Sequence, residues 1–317
     1  MWKQCILAAA ISLGLPVQAG NPLVSTVFTA DPAALVDNGR VYLYAGRDEA
    51  ALDGKDYVMN EWRVYSSCDM QTWVDHGSPL RFSTFKWAQK DAWAGDIAKR
   101  DGKYYFYSTV THNTIDGKAI GVAVSNSPTG PFVDARGSAL ITNDMTRETA
   151  ISWDDIDPAV FIDTSGQAYL YWGNTVMKYA KLNANMIELD GPIHTVGLDS
   201  FTEAAYLHKH NGTYYLTYSA KFPEETVYMT GPSATGPWTF GGVIMEKNAI
   251  VKTIHQAIVD FNGKSYIFYH NDKLPTGGEY RRSVAVEEFQ YGADGKIGLI
   301  AQTTAGPAAN PSSGCKR

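Results

Sequence analysis

Five times along the 317-residue chain, a short run of alternating apolar residues meets a Gly turn and is answered by a second, aromatic run. The answering runs include Val41-Tyr42-Leu43-Tyr44, Tyr104-Tyr105-Phe106-Tyr107, Tyr169-Leu170-Tyr171, Tyr214-Tyr215-Leu216 and Tyr266-Ile267-Phe268-Tyr269. Period-two alternation on either side of a tight turn predicts a β-hairpin. The turn glycines, Gly39, Gly102, Gly166, Gly212 and Gly263, fall 63, 64, 46 and 51 residues apart. Hairpins repeated at that spacing are the mark of propeller blades. Second hairpins follow in residues 65–73, 123–132, 179–189, 228–238 and 283–295, most of them with Ser, Asn, Gly or Pro turns. Two hairpins per repeat predict an all-β, five-bladed β-propeller with four antiparallel strands per blade. No segment sustains a helical period.

The innermost strands of a propeller surround one axis, so residues at equivalent places in distant repeats meet at one mouth. Asp31, Asp157 and Glu203 each stand eight or nine residues before their turn glycine. Shared position therefore predicts a carboxylate cluster in a pocket. An Asp-Pro pair alone reads as a turn former; recurrence across repeats makes Asp31 and Asp157 candidates for chemistry. Asp154, Asp155 and Asp163 open no repeat and read as turn or strand-end carboxylates. Two carboxylates flanking a sugar are the apparatus of glycoside hydrolysis, one giving a proton to the leaving oxygen and the other activating water or attacking carbon.

Thr29-Ala30-Asp31-Pro32, Asp154-Asp155-Ile156-Asp157-Pro158 and Phe201-Thr202-Glu203-Ala204, with Trp93-Ala94 and His255-Gln256-Ala257, closely resemble glycoside hydrolase family 43 over nearly the whole chain. The resemblance implies an inverting enzyme with Asp31 as general base, Glu203 as general acid and Asp157 as the residue that raises and orients the acid. It also implies sugar contacts from Trp93, His255 and Arg282; a solvated edge-strand charge is the reading that better fits the neighbouring Arg281. His255 falls where the family places a His near a central Ca²⁺ or a water cluster. It is thus a candidate metal ligand on the axis, although one His is a poor site for an ion that takes six to eight oxygens. No cofactor is required by the chemistry. Residues 21–32 and 57–62 look like the arabinofuranosidase and xylosidase branch, which implies exo-acting removal of α-L-arabinofuranose from arabinoxylan or related hemicellulose. β-D-Xylosidase action is the alternative. Retaining fructan-cleaving propellers carry Asn-Asp-Pro-Asn where this chain has Ala30-Asp31-Pro32-Ala33, and a sugar-binding propeller without catalysis would not need all three acids.

Composition narrows the setting. Residues 1–19 combine Lys3, a short apolar core and a small residue at Ala19, which reads as a secretory signal, so the product is expected outside the cytoplasm and not anchored in a membrane. The catalytic propeller is expected over residues 20–302, with a short flexible tail at 303–317. The net charge of −6, one unit more negative without Lys3, offers no basic stripe for nucleic acid. The expected partner is plant cell-wall polysaccharide or oligosaccharide, met by a monomer. Of three cysteines, Cys68 and Cys315 remain after cleavage. They read either as a disulfide or as a buried thiol and a free one.

Overall fold

The computed structural model describes residues 20–315 and the backbone of a two-residue strand, Pro16–Val17, which pairs with Val74 and Trp73. The rest of the expected signal segment lies outside the described residues. Five antiparallel sheets follow one another along the chain. Blade I contains Phe28–Asp37, Arg40–Asp48, Glu61–Ser67 and Trp73–Asp75. Blade II contains Gly95–Arg100, Lys103–His112, Lys118–Ser125 and Val133–Asp134. Blade III contains Ala159–Ile162, Ala168–Trp172, Met177–Leu182 and His194–Val196. Blade IV contains Phe201–His210, Thr213–Ala220, Glu225–Gly231 and Thr239–Met245. The inner hairpins turn where the sequence marks them: Asn38 (φ 50°) and Gly39 (φ 70°) are both left-handed between the paired Asp37 and Arg40. Two left-handed residues give a turn whose twist matches the flanking strands, which favours Asn-Gly.

Blade V departs from the four-strand expectation. It has Ala257–Phe261, Lys264–Asn271 and Ser283–Phe289 only. The turn residues Gly292, Asp294 and Gly295 leave a single Tyr291–Ile297 bridge in place of a fourth strand. The chain's own beginning covers the open edge: Leu23 N–H donates to Val284 O (2.8 Å) and Thr29 N–H to Arg282 O (2.9 Å). An unpaired edge invites pairing with other chains, and this cover removes it.

Each neighbouring pair of blades encloses an apolar wedge, and the fifth wedge joins blade V to blade I through Leu43, Tyr65, Trp73, Phe268 and Val286. Trp73 meets Phe268 edge-to-face at 5.9 Å. Trp73→Ala would cost about 3–5 kcal/mol by the ordinary price of emptying a large aromatic site. A tyrosine on each second strand also reaches the outer turn of the next blade. Tyr44 donates to Pro128 O, Tyr107 to Met186 O, Tyr171 to Ala234 O and Tyr215 to Gly295 O, at 2.5 to 2.7 Å. At the last seam the corresponding Tyr266 receives the side-chain amide of Asn310 (2.9 Å), whose backbone N–H donates to Asp69 O of blade I (2.8 Å).

The segment after Gln302, expected as a flexible tail, is therefore a strap between the last blade and the first. Its physical basis is the buried Asn310, the Ser312 N–H bond to Cys68 O and a disulfide joining Cys68 to Cys315 with Cα atoms 5.7 Å apart.

Candidate active site

The mouth ends of the inner strands are irregular. In blade I the pairing passes from Ala30–Gly46 to Ala33–Tyr44, so Asp31 and Pro32 face one residue. In blade IV two register shifts bracket Glu203. Asp31, Asp157 and Ala204 have φ of 52°, 57° and 56°. Bulges and left-handed residues cost energy and re-aim side chains out of the ladder, which is why they gather at functional sites. Here they turn Asp31, Asp157 and Glu203 into one cavity of about 260 Å³. Trp93 and Arg282 stand on its wall with Tyr57, Met59 and Trp153. His255 is not part of that wall. It is buried behind Asp157, with Nδ1 3.6 Å from Asp157 Oδ2.

Asp31 sits among cations and donors. Arg282 donates from its two terminal nitrogens to the two Asp31 oxygens (2.9 and 3.3 Å) and from Nε and one terminal nitrogen to Asp48 (2.9 Å each). Arg282 is buried, and its neighbour Arg281 is the more exposed of the two. Asp31 N–H donates to His270 Nδ1 (3.3 Å), and His270 Nε2 is turned to Thr253 O (3.1 Å). That pairing fixes the tautomer with its proton on Nε2. Burial lowers the His270 pKa and keeps the ring neutral. Burial alone would raise the Asp31 pKa, but the Arg282 guanidinium holds it well below the carboxylate range.

Glu203 has the opposite surroundings. Burial and the charges of Asp157 and Asp31 push its pKa up to about 8, against His255 and the Asn174 amide, which donates to Oε2 (2.8 Å). Oε2 is thus occupied and Oε1 is left to carry a proton. Asp157 Oδ2 accepts from the Ala204 N–H (3.0 Å), tying it to the backbone of the residue after Glu203. Burial works against charge on His255, but Asp157 and then Asp31 and Glu203 raise its pKa. Two carboxyl groups in one cavity, one an anion and one holding its proton near neutrality, can act as base and acid in a single step.

Comparison with known proteins agrees with this geometry. The family model described as glycosyl hydrolases family 43 matches residues 19–297. The chain belongs to that family. Xylosidase/arabinosidase 43A of Humicola insolens is 34% identical, with 87% of this chain and 98% of the relative aligned. The arabinoxylan arabinofuranohydrolase of Bacillus subtilis is 30% identical over 96% of this chain and 68% of its own. Among solved structures, a β-xylosidase/α-arabinofuranosidase from a compost metagenome, in complex with xylotriose and calcium-free, superposes with TM-score 0.81. It is 32% identical, over 90% of this chain and 98% of that one. Family 43 is an inverting family, and the chain is accordingly an inverting glycoside hydrolase with the five-bladed fold.

Calcium is not well served by the donors present. His255 offers one nitrogen, engaged with Asp157, and among the described residues no three His, Cys, Asp or Glu side chains are arranged to hold a metal. Asp48, Asn174, His270 and Trp153 were absent from the sequence-based candidates. The first three stand seven to nine residues after their turn glycines, at the mouth end of the second strands, so the offset that finds the acids, counted forward, finds their partners. Trp153 comes from an irregular loop and has no such signal.

Proposed function

We propose that this family 43 enzyme removes terminal α-L-arabinofuranosyl units from arabinoxylan or related hemicellulose, with inversion. Asp31 takes a proton from a water on one face of the sugar while Glu203 gives its proton to the glycosidic oxygen on the other. The water oxygen bonds to the anomeric carbon as the old carbon–oxygen bond breaks, leaving Glu203 ionised and Asp31 protonated until solvent resets both. Asp157 keeps Glu203 protonated by like charge and orients it through the Ala204 amide. Trp93 packs against the pentose and Arg282 holds Asp31 ionised. No step is assigned to a metal. The observation that carries this reading is the opposite pKa displacement of Asp31 and Glu203 within one cavity.

β-D-Xylosidase action is the second reading, favoured by the paired activities in the relatives' names and by xylotriose bound in the compost enzyme. The test is to incubate the protein with arabinoxylan, arabinan and xylo-oligosaccharides and to identify the released sugar and its first-formed anomer by NMR. Inverted L-arabinose supports the first reading, and D-xylose alone replaces it by the second. Export as a monomer completes the proposal. The Cys68–Cys315 disulfide supports an oxidising compartment, where such bonds persist.

A further inference from the structure

Trp93 divides two hollows. On one side lies the cavity of the acids, and on the other a groove of about 880 Å³ across blades I and II, whose wall also includes Trp93. Lys118, the first residue of Lys118–Ser125, lines the groove and not the cavity. Its Nζ stands 3.3 Å from the centroid of the Trp93 ring, so the ammonium covers the ring face turned away from the acids. A lysine ammonium has three protons. One goes to the Asp91 carboxylate, one to the Thr111 hydroxyl (3.1 Å) and one faces the ring. Asp91 is left-handed (φ 68°) and also receives the Thr111 hydroxyl (2.6 Å). Burying a charged lysine is costly unless it is paired, and here the paired charge rests on an aromatic face. The indole Nε1 of Trp93 is buried with no hydrogen-bond partner. No polar contact at its own edge fixes the ring; Tyr57 meets it edge-on at 6.3 Å and Lys118 covers its back.

We propose that Lys118, held by Asp91, is a positioning residue that fixes Trp93 as the wall against which the pentose packs, and so sets affinity for the sugar without touching it. The inference rests on the pentosidase reading above. Burial pushes the Lys118 pKa down to about 8 against the pull of Asp91, with Lys90 adding to the fall. The other charged groups lining the groove are Lys55, Asp56 and Asp116. The ammonium therefore discharges over the range in which the enzyme meets mild alkali, and Trp93 then loses its cation.

The test uses the full chain with Lys118→Met and Lys118→Arg, assayed on 4-nitrophenyl α-L-arabinofuranoside and 4-nitrophenyl β-D-xyloside, with L-arabinose and D-xylose as product inhibitors. Lys118→Met should raise KM and the inhibition constant of the product sugar roughly tenfold, the weight of a desolvated cation–π contact, with kcat nearly unchanged. Lys118→Arg should restore KM. The wild type should bind product more weakly as pH rises from 7 to 9, and Lys118→Arg should abolish that weakening, because guanidinium keeps its charge there. Glu203 titrates equally in all three proteins, so the difference between them isolates Lys118. A loss in kcat with KM unchanged, or an arginine variant that weakens with pH as the wild type does, overturns the proposal. Should Lys118→Met fail to fold, the pH profile of Lys118→Arg decides alone. A wild type that cleaves neither aryl pentoside sinks the pentosidase reading and this inference with it. A wild type that cleaves, alongside an unaltered methionine variant, sinks this inference only.

Discussion

Asp31 and Glu203 occupy equivalent places in blades I and IV, yet the two sides of the cavity treat a carboxyl group in opposite ways. Both groups are buried, and burial alone pushes a carboxyl pKa upward. At the seam of blades V and I the push is overwhelmed by Arg282, a fixed cation shared with Asp48. Where blades III and IV meet the push is reinforced by Asp157 and only softened by Asn174. The strand position delivers a carboxyl group to the mouth, and the neighbours brought by adjacent blades decide whether it keeps its proton.

The strongest test of that contrast removes the anion. Asp31→Asn should lower kcat on every substrate by roughly 10³ to 10⁴, whatever the leaving group, because water activation is lost in all cases. Glu203→Gln should lower turnover of arabinoxylan by about 10² to 10³ yet leave much of the activity on aryl glycosides with very acidic leaving groups, which depart without a proton. A leaving-group series measured for both variants checks the division. Parallel losses across the series would show that the two groups do not differ as described.

Asp157→Asn is expected to reduce kcat/KM by roughly tenfold and to move the basic limb of its pH profile. The sign follows from the acid: Glu203 works while protonated, its pKa is near 8 partly because of Asp157, and removing that charge lets the proton leave at lower pH. The basic limb therefore shifts down. Asn174→Ala should give the smallest effect, a few-fold in kcat/KM, with a shift the other way, since the lost amide bond favours the ionised form. Limbs that move in the same direction for these two variants would break the electrostatic account and leave positioning in its place.

The hairpin period and its turns, Asn-Gly or Asp-Gly in four blades and Ser-Gly in the third, make the blades legible, because turn chemistry is local and strongly constrained by φ. The three acids are legible for the same reason, through their fixed distance from each turn glycine. Their partners are legible as positions and not as pairs. The forward offset places Asn174 at the mouth and Arg282 is itself a candidate, but Arg282 meets Asp31 across 251 residues of sequence and Asn174 meets Glu203 across 29, and no local pattern announces a pairing made between blades. The strap after Gln302 was hidden by its composition: Gly, Pro, Ser and Ala are typical of loose chain, and what holds it down are contacts to residues far away in sequence, among them those of Thr303, Asn310 and Cys315. His255, read as facing the sugar, backs Asp157 with its Nδ1 3.6 Å from the carboxylate, a contact that no pattern local to residues 255–257 announces.

The strap has a consequence in time. Four seams of the ring join blades that are consecutive in the chain, whereas the fifth joins the first blade made to the last. Asp31 leaves the ribosome long before His270 and Arg282, which stand 239 and 251 residues behind it, and the residues that lock the seam, Asn310 and Cys315, come later still. Contacts of such long sequence separation form late in folding. A nascent chain thus carries its catalytic aspartate before the cation that keeps it charged in the buried site has been made, and the cavity is complete only when blade V closes on blade I.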